Sequence, residues 1–116
     1  MDVINLSIKI DENNFYKSYL ETMNGILKLT RTELTVLASF MEIKNIKLGS
    51  GDETFTPQTR LYVRELLNIS EFNLNNYIKM LKDRKLLFVK ENGVLDISNK
   101  IFKPKNSTSI TFKLEI

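Results

Sequence analysis

Between Leu66 and Ile97 the chain reads LLNISEFNLNNYIKMLKDRKLLFVKENGVLDI, and this stretch decides the fold. A helix closing on Glu65-Leu66-Leu67 meets a tight Asn68-Ile69-Ser70 turn, where Ser70 is placed to accept a backbone N–H left unpaired by the next helix. Leu74, Tyr77, Ile78 and Leu81 then recur at helical spacing. At about 100° per residue they gather on one arc, which predicts a helix over 71–83 with that arc buried. Phe72, Asn76, Lys79 and Asp83 take the opposite side, flanked by Asn73 and Met80 on one edge and by Asn75 and Lys82 on the other. After Lys82-Asp83-Arg84-Lys85-Leu86-Leu87, the runs Phe88-Val89-Lys90-Glu91 and Val94-Leu95-Asp96-Ile97 read as strands across Asn92-Gly93. Asn-Gly at such a junction predicts a two-residue type I′ hairpin.

The run Leu67-Asn68-Ile69-Ser70, the spaced Leu74, Ile78 and Leu81, the basic Lys82-Asp83-Arg84-Lys85 with Leu86-Leu87, and the hairpin resemble the winged helix-turn-helix superfamily of small microbial regulators. The resemblance covers about residues 30–98 and departs from the family at Lys85, where those proteins usually carry Gly. If that position is left-handed, Lys occupies it at a cost of about 1 kcal/mol.

The resemblance implies an α+β fold in a single domain, 1–116. Its winged-helix core spans 30–98, an extra N-terminal strand and helix span 1–29, and a basic loop and C-terminal strand span 99–116. It also implies a protein that reads double-stranded DNA with helix 71–83 in the major groove. An Asn amide can donate to and accept from an adenine edge at once, which suits Asn73, Asn75 and Asn76 to base contact. Phosphate contacts are expected from Arg60, Arg64, Lys79, Lys82, Arg84 and Lys85, and wing contacts from Lys90 and Asn92. A solvated helix face and a solubilising Arg60–Arg64 pair are the plain alternatives.

A second function fits the same fold. Phe72 sits in the middle of the reading face, Glu71 and Asp83 are acidic, and the helix holds no Arg. A phage structural or assembly protein, or a regulator gripping a host protein, would use Phe72 and Met80 as interface anchors.

Composition narrows the classes. A chain of 116 residues can bury a core without staples. It has no Cys and no His, which removes thiolate chemistry, the commonest metal ligand and the commonest general base. The acidic residues are scattered, and the adjacent pairs Asp11-Glu12 and Asp52-Glu53 sit in turn or loop stretches where neighbouring carboxylates are ordinarily solvated, so neither an enzyme nor a cofactor is expected. No apolar run reaches the roughly 18 residues of a membrane span, and Met1-Asp2 does not open a signal peptide. The expectation is a soluble protein of the cytoplasm, in the host cytoplasm if phage-encoded. Richness in Lys, Asn and Ile looks like many phage and plasmid genes.

The net charge of +3 is unevenly spread. Residues 1–58 carry six basic and eight acidic side chains, and residues 59–116 carry eleven and six. The excess lies with the proposed reader, as a phosphate-facing surface requires.

Outside the core, residues 2–10 alternate, with Ile4, Leu6, Ile8 and Ile10 on one side. So do residues 109–116, with Ile110, Phe112, Leu114 and Ile116 on one side. Each is a half-buried strand, and they pair either within one chain or between two chains of a homo-oligomer. Asp11–Asn14 offers turn and cap residues for a helix with a stripe of Phe15, Tyr19, Leu20, Met23, Ile26 and Leu27, interrupted by Asn24-Gly25. That helix either packs on the core or dimerises. Thr30 to Glu33 is a capping box with Leu29 and Leu34 as its hydrophobic staple, opening a helix with Leu34, Leu37, Ala38, Phe40 and Met41 inward. Gly49-Ser50-Gly51-Asp52 centres a loop without the residues of a phosphate cradle. Thr56-Pro57 starts another helix, with Leu61, Leu66 and Leu67 expected to face inward. Asn99 to Ser109, with Lys100, Lys103 and Lys105, reads as a basic loop without a pattern of its own.

Overall fold

The computed structural model describes residues 3–9, 15–104 and 109–115. In chain order the elements are β1 (Val3–Lys9), α1 (Phe15–Leu27), α2 (Arg31–Ile46), α3 (Pro57–Leu67), α4 (Glu71–Asp83), β2 (Leu87–Val89), β3 (Leu95–Ile97) and β4 (Ser109–Glu115). Four helices followed by a two-stranded antiparallel hairpin make a shape compatible with a winged helix. β1 and β4 form a separate antiparallel ladder, running from Val3 opposite Glu115 to Lys9 opposite Ser109. The cap expected within Asp11–Asn14, the side-chain faces expected of the terminal strands, and Lys105 lie outside the described residues.

α2 is the axis of the core. Its Val36, Leu37, Phe40 and Met41 are wholly buried, as a helix facing several neighbours requires. The Thr30 capping box forms, the hydroxyl accepting from Glu33 N–H (3.2 Å) and the Glu33 carboxylate accepting from Thr30 N–H (3.0 Å). Leu29 and Leu34 are both buried beside it. Beyond α2, Phe55 stacks on Phe40 with ring centroids 4.3 Å apart, closing the loop that Gly49 and Gly51 carry through positive φ.

α1 differs from expectation in two respects. Asn24-Gly25 does not interrupt it; the helix runs to Leu27 and Lys28 follows in a left-handed conformation. Asn24 instead holds the exit, its amide donating to Leu29 C=O (3.1 Å) and accepting from Leu29 N–H (2.8 Å). Ile26 is turned to solvent, and Tyr16 takes a core place that the expected stripe omitted. The hydroxyls of Tyr16 and Tyr19 donate to the carbonyls of Lys103 (2.8 Å) and Ile101 (2.6 Å). Burial raises the Tyr19 phenol above its ordinary pKa, so it stays a donor. The buried face of α1 is therefore packed within the chain.

Those contacts also correct the reading of residues 99–104. Ile101 and Phe102 are buried, and their amides bond back to Ser98 C=O (3.1 and 3.0 Å). The segment is an anchor, with Phe102 stacked on Tyr16 and Lys44 Nζ over its ring at 4.9 Å.

α3 begins as expected, with Thr56 as N-cap and Pro57 in the first turn. Its inward phase is different: Thr59 and Val63 are buried with Leu67 partly so, whereas Leu61 and Leu66 are 47% and 57% exposed. Thr59 sets this phase because its hydroxyl donates to Thr54 C=O (2.6 Å), tying the helix to the preceding loop through a buried polar group. With residues 59, 63 and 67 inward, 61 falls on the far side of the helix.

α3 and α4 both end in Schellman-type closures. After α3, Ile69 N–H reaches Arg64 C=O (3.0 Å) with Asn68 at φ 54°. After α4, Leu86 N–H reaches Leu81 C=O (3.0 Å) and Lys85 N–H reaches Lys82 C=O (2.9 Å), with Lys85 at φ 63°. Asn tolerates this conformation; Lys is strained by its Cβ. Lys85→Gly should raise stability by about 1 kcal/mol in urea denaturation; an unchanged or lower midpoint would contradict the strain.

The hairpin turn is not the expected two-residue type I′. Lys90 N–H bonds Val94 C=O (2.8 Å) and Gly93 N–H bonds Lys90 C=O (2.9 Å), leaving a three-residue loop, Glu91-Asn92-Gly93. Gly93 alone is left-handed (φ 83°), and the Asn92 side chain accepts from Val94 N–H (3.1 Å). A single left-handed residue suffices for this type I turn with a glycine bulge.

Candidate nucleic-acid interface

α4 is seated by Leu74, Ile78 and Leu81, all buried, and opened by Ser70, whose hydroxyl accepts from Asn73 N–H (3.1 Å). Everything on its other faces is solvent-exposed: Phe72, Asn73, Asn75, Asn76, Lys79, Met80, Lys82 and Asp83. Phe72 is 74% exposed and projects from the first turn among carboxamides. The helix spans 71–83, as its periodicity predicts.

The cationic residues around it divide into two groups. Lys79, Lys82 and Lys85 are exposed and enter no ion pair among the described residues. The others are engaged by the fold. Arg60 and Arg64 share a face, as four-residue spacing requires, but that face is one wall of a cleft of about 420 Å³ whose other wall is Glu71, Leu74 and Asn75 of α4. Both arginines are half-buried there. Arg60 Nη1 lies 3.5 Å from Asn75 Oδ1, and Arg64 Nε is buried without a hydrogen-bond acceptor among the described residues.

Arg84 is committed furthest. Its Nη1 donates to the carbonyls of Leu27 (3.1 Å) and Lys28 (2.8 Å), at the end of α1. Its Nε stands 3.8 Å from the Glu33 carboxylate, which is fully buried. Cations at a helix C-terminus complement the negative end of the macrodipole, and here one guanidinium ties α1, α2 and α4 together.

On the hairpin, Lys90 Nζ is 3.2 Å from Asp96, which also holds Lys44 Nζ of α2 at 2.9 Å. Burial raises the Asp96 carboxyl, but hydrogen bonds from Lys44, the Ile97 amide and Lys90 outweigh it and hold the pKa below its ordinary value. A group depressed in the folded state adds stability above its unfolded pKa, and this is lost as pH falls through the folded pKa. Asp96→Asn should therefore be destabilising in urea at neutral pH, with the deficit shrinking as pH drops below the usual carboxylate range; a constant deficit would contradict it. Asn92, at the hairpin tip, is exposed.

Sequence reasoning overlooked a second apolar region. Ile46, Tyr62 and Leu66 are exposed along a groove between α2 and α3, continuous toward Phe15 and Tyr16 of α1. Phe88 and Val89 are exposed on the hairpin. Tyr62 and Leu66 sit four apart, the only signal available. Among the described residues there is no metal-competent cluster of His, Cys, Asp and Glu, and no helix long and apolar enough to cross a membrane. No protein-family model, curated protein or solved structure matches the chain.

Proposed function

We propose that this chain is a winged helix-turn-helix protein that binds double-stranded DNA as a homo-oligomer. It acts as a transcriptional or replication regulator of a phage or mobile element. In this reading α3 and α4 form the helix-turn-helix, α4 enters the major groove and the β2–β3 hairpin is the wing. The observation that carries it is the outer surface of α4: three exposed asparagines and two exposed lysines on a helix whose inner side is locked by Leu74, Ile78 and Leu81. A rigid helix with base-reading amides and flanking cations is what groove recognition requires. The phosphate contacts fall to Lys79, Lys82 and Lys85, because Arg84 and Lys90 are engaged within the protein.

Fragments of genomic duplex DNA, bound at low and then moderate salt and sequenced, test this. Salt-sensitive binding with an enriched site supports the proposal. Lys79→Ala should weaken binding to every sequence and reduce the salt slope by about one unit. Failure to bind even at low salt would overturn it. The second reading, a protein-assembly module, is favoured by the exposure of Phe72 and Met80 on α4 and of Phe88 and Val89 on the hairpin. Under it, Phe72→Ala abolishes partner binding and Lys79→Ala does nothing.

A further inference from the structure

We infer that the outer face of α4 selects A·T base pairs, with Asn76 on the edge of an adenine and Phe72 against the C5-methyl of a thymine. This rests on the DNA-binding reading above and names what that surface reads.

The N-terminal turns of the outer arc of α4 lack the guanidinium and carboxylate groups that read G·C pairs. Guanine is most often read by a guanidinium fork on O6 and N7, and every arginine of the chain lies off this face. Arg31 opens α2, Arg60 and Arg64 line the α3–α4 cleft, and Arg84 is bonded to the Leu27 and Lys28 carbonyls. Lys79 and Lys82 are the donors to guanine that remain on this helix; they offer an ammonium without a planar fork and stand against phosphates in the reading above. Cytosine is read by a carboxylate accepting from N4. Glu71 faces the cleft beside Arg60 and Arg64, and Asp83 ends the helix, far from the N-terminal turns that meet base edges.

What remains at those turns suits adenine and thymine. Asn76 is exposed, and no hydrogen bond engages its amide among the described residues, so both halves are available for adenine N6 and N7. Phe72 is 74% exposed, one turn earlier on the same outer arc. Thymine alone presents a methyl group in the major groove, and an aromatic side chain is one of its recognised apolar contacts. Four residues of helix advance about 6 Å, and base pairs stack at about 3.4 Å. For a helix lying along the groove, Phe72 and Asn76 meet base pairs about two steps apart. The same geometry explains a large apolar side chain in the middle of a polar face: in the complex it is covered by methyl groups.

The test equilibrates the full chain with a library of random duplexes at low salt and sequences the bound fraction, then replaces each thymine of the enriched site by uracil, which lacks only the methyl. A·T pairs should dominate the positions whose preference disappears in Asn76→Ala, with a loss of about tenfold or more on the chosen site. One uracil should weaken wild-type binding about fourfold, the worth of one buried carbon, and leave Phe72→Ala unaffected. Unchanged thermal unfolding of both variants shows that they fold. Duplex binding with G·C enrichment, or with no uracil effect, overturns this inference and leaves the DNA reading standing. No duplex binding overturns both.

Discussion

Replacing Arg84 with alanine should cost about 3 kcal/mol of folding stability, far more than a surface cation is worth. The side chain is 39% exposed, yet its partner Glu33 is 0% exposed, and a carboxylate of Glu33 has an oxygen, Oε2, with no hydrogen bond. Removing one member of a buried ion pair costs about 3–5 kcal/mol, because the remaining charge is left without compensation. Solvent at the guanidinium screens part of this, which brings the expectation to the lower end. The bonds to Leu27 and Lys28 contribute less, since water can reach those carbonyls once the side chain is gone. Urea denaturation measures the change. In a Glu33→Gln background, which keeps an acceptor for Thr30 N–H but removes the charge, Arg84→Ala should cost much less. A loss within about 0.5 kcal/mol in the wild-type background would mean that Arg84 is a free surface cation, as the basic run around it suggests by itself.

The second large effect separates the two faces of α4. Leu81 is 0% exposed and Phe72 is 74% exposed on the same helix. Leu81→Ala should destabilise the protein by about 3–4 kcal/mol, from lost transfer energy and the cavity left behind. Phe72→Ala should stay within about 0.5 kcal/mol, because it removes little buried surface and leaves no cavity. Any binding defect of Phe72→Ala then belongs to the surface. Equal costs for the two variants would contradict the orientation of the helix.

α4, with its Ser70 cap and its Leu74, Ile78 and Leu81 seam, was legible because cap chemistry and 3.6-residue periodicity are local. So was the Thr30–Glu33 capping box, whose two hydrogen bonds link residues three apart. The left-handed Lys85 was legible as a conditional: a Schellman closure places one residue there whatever its side chain. The phase of α3 was not. Leu61, Tyr62, Val63, Leu66 and Leu67 put apolar residues on more than one arc. The choice between arcs was made by a buried hydroxyl, Thr59, bonding to Thr54. The exposure of Tyr62 and Leu66 in a groove follows from that choice.

The candidate site divides in the same way. That Asn73, Asn75, Asn76, Lys79 and Lys82 lie outside α4 follows from the sequence by itself, since an inward arc determines the outward one. That Arg60 and Arg64 turn into a cleft, that Arg84 reaches 57 residues back to Leu27, and that Lys90 shares Asp96 with Lys44 was decided only by tertiary structure. Helix boundaries and faces arise from backbone capping and periodicity over a few residues. Whether a long cationic side chain meets solvent or an acceptor depends on which carbonyls and carboxylates another element brings within about 3–4 Å, and nothing local in a sequence specifies that distance.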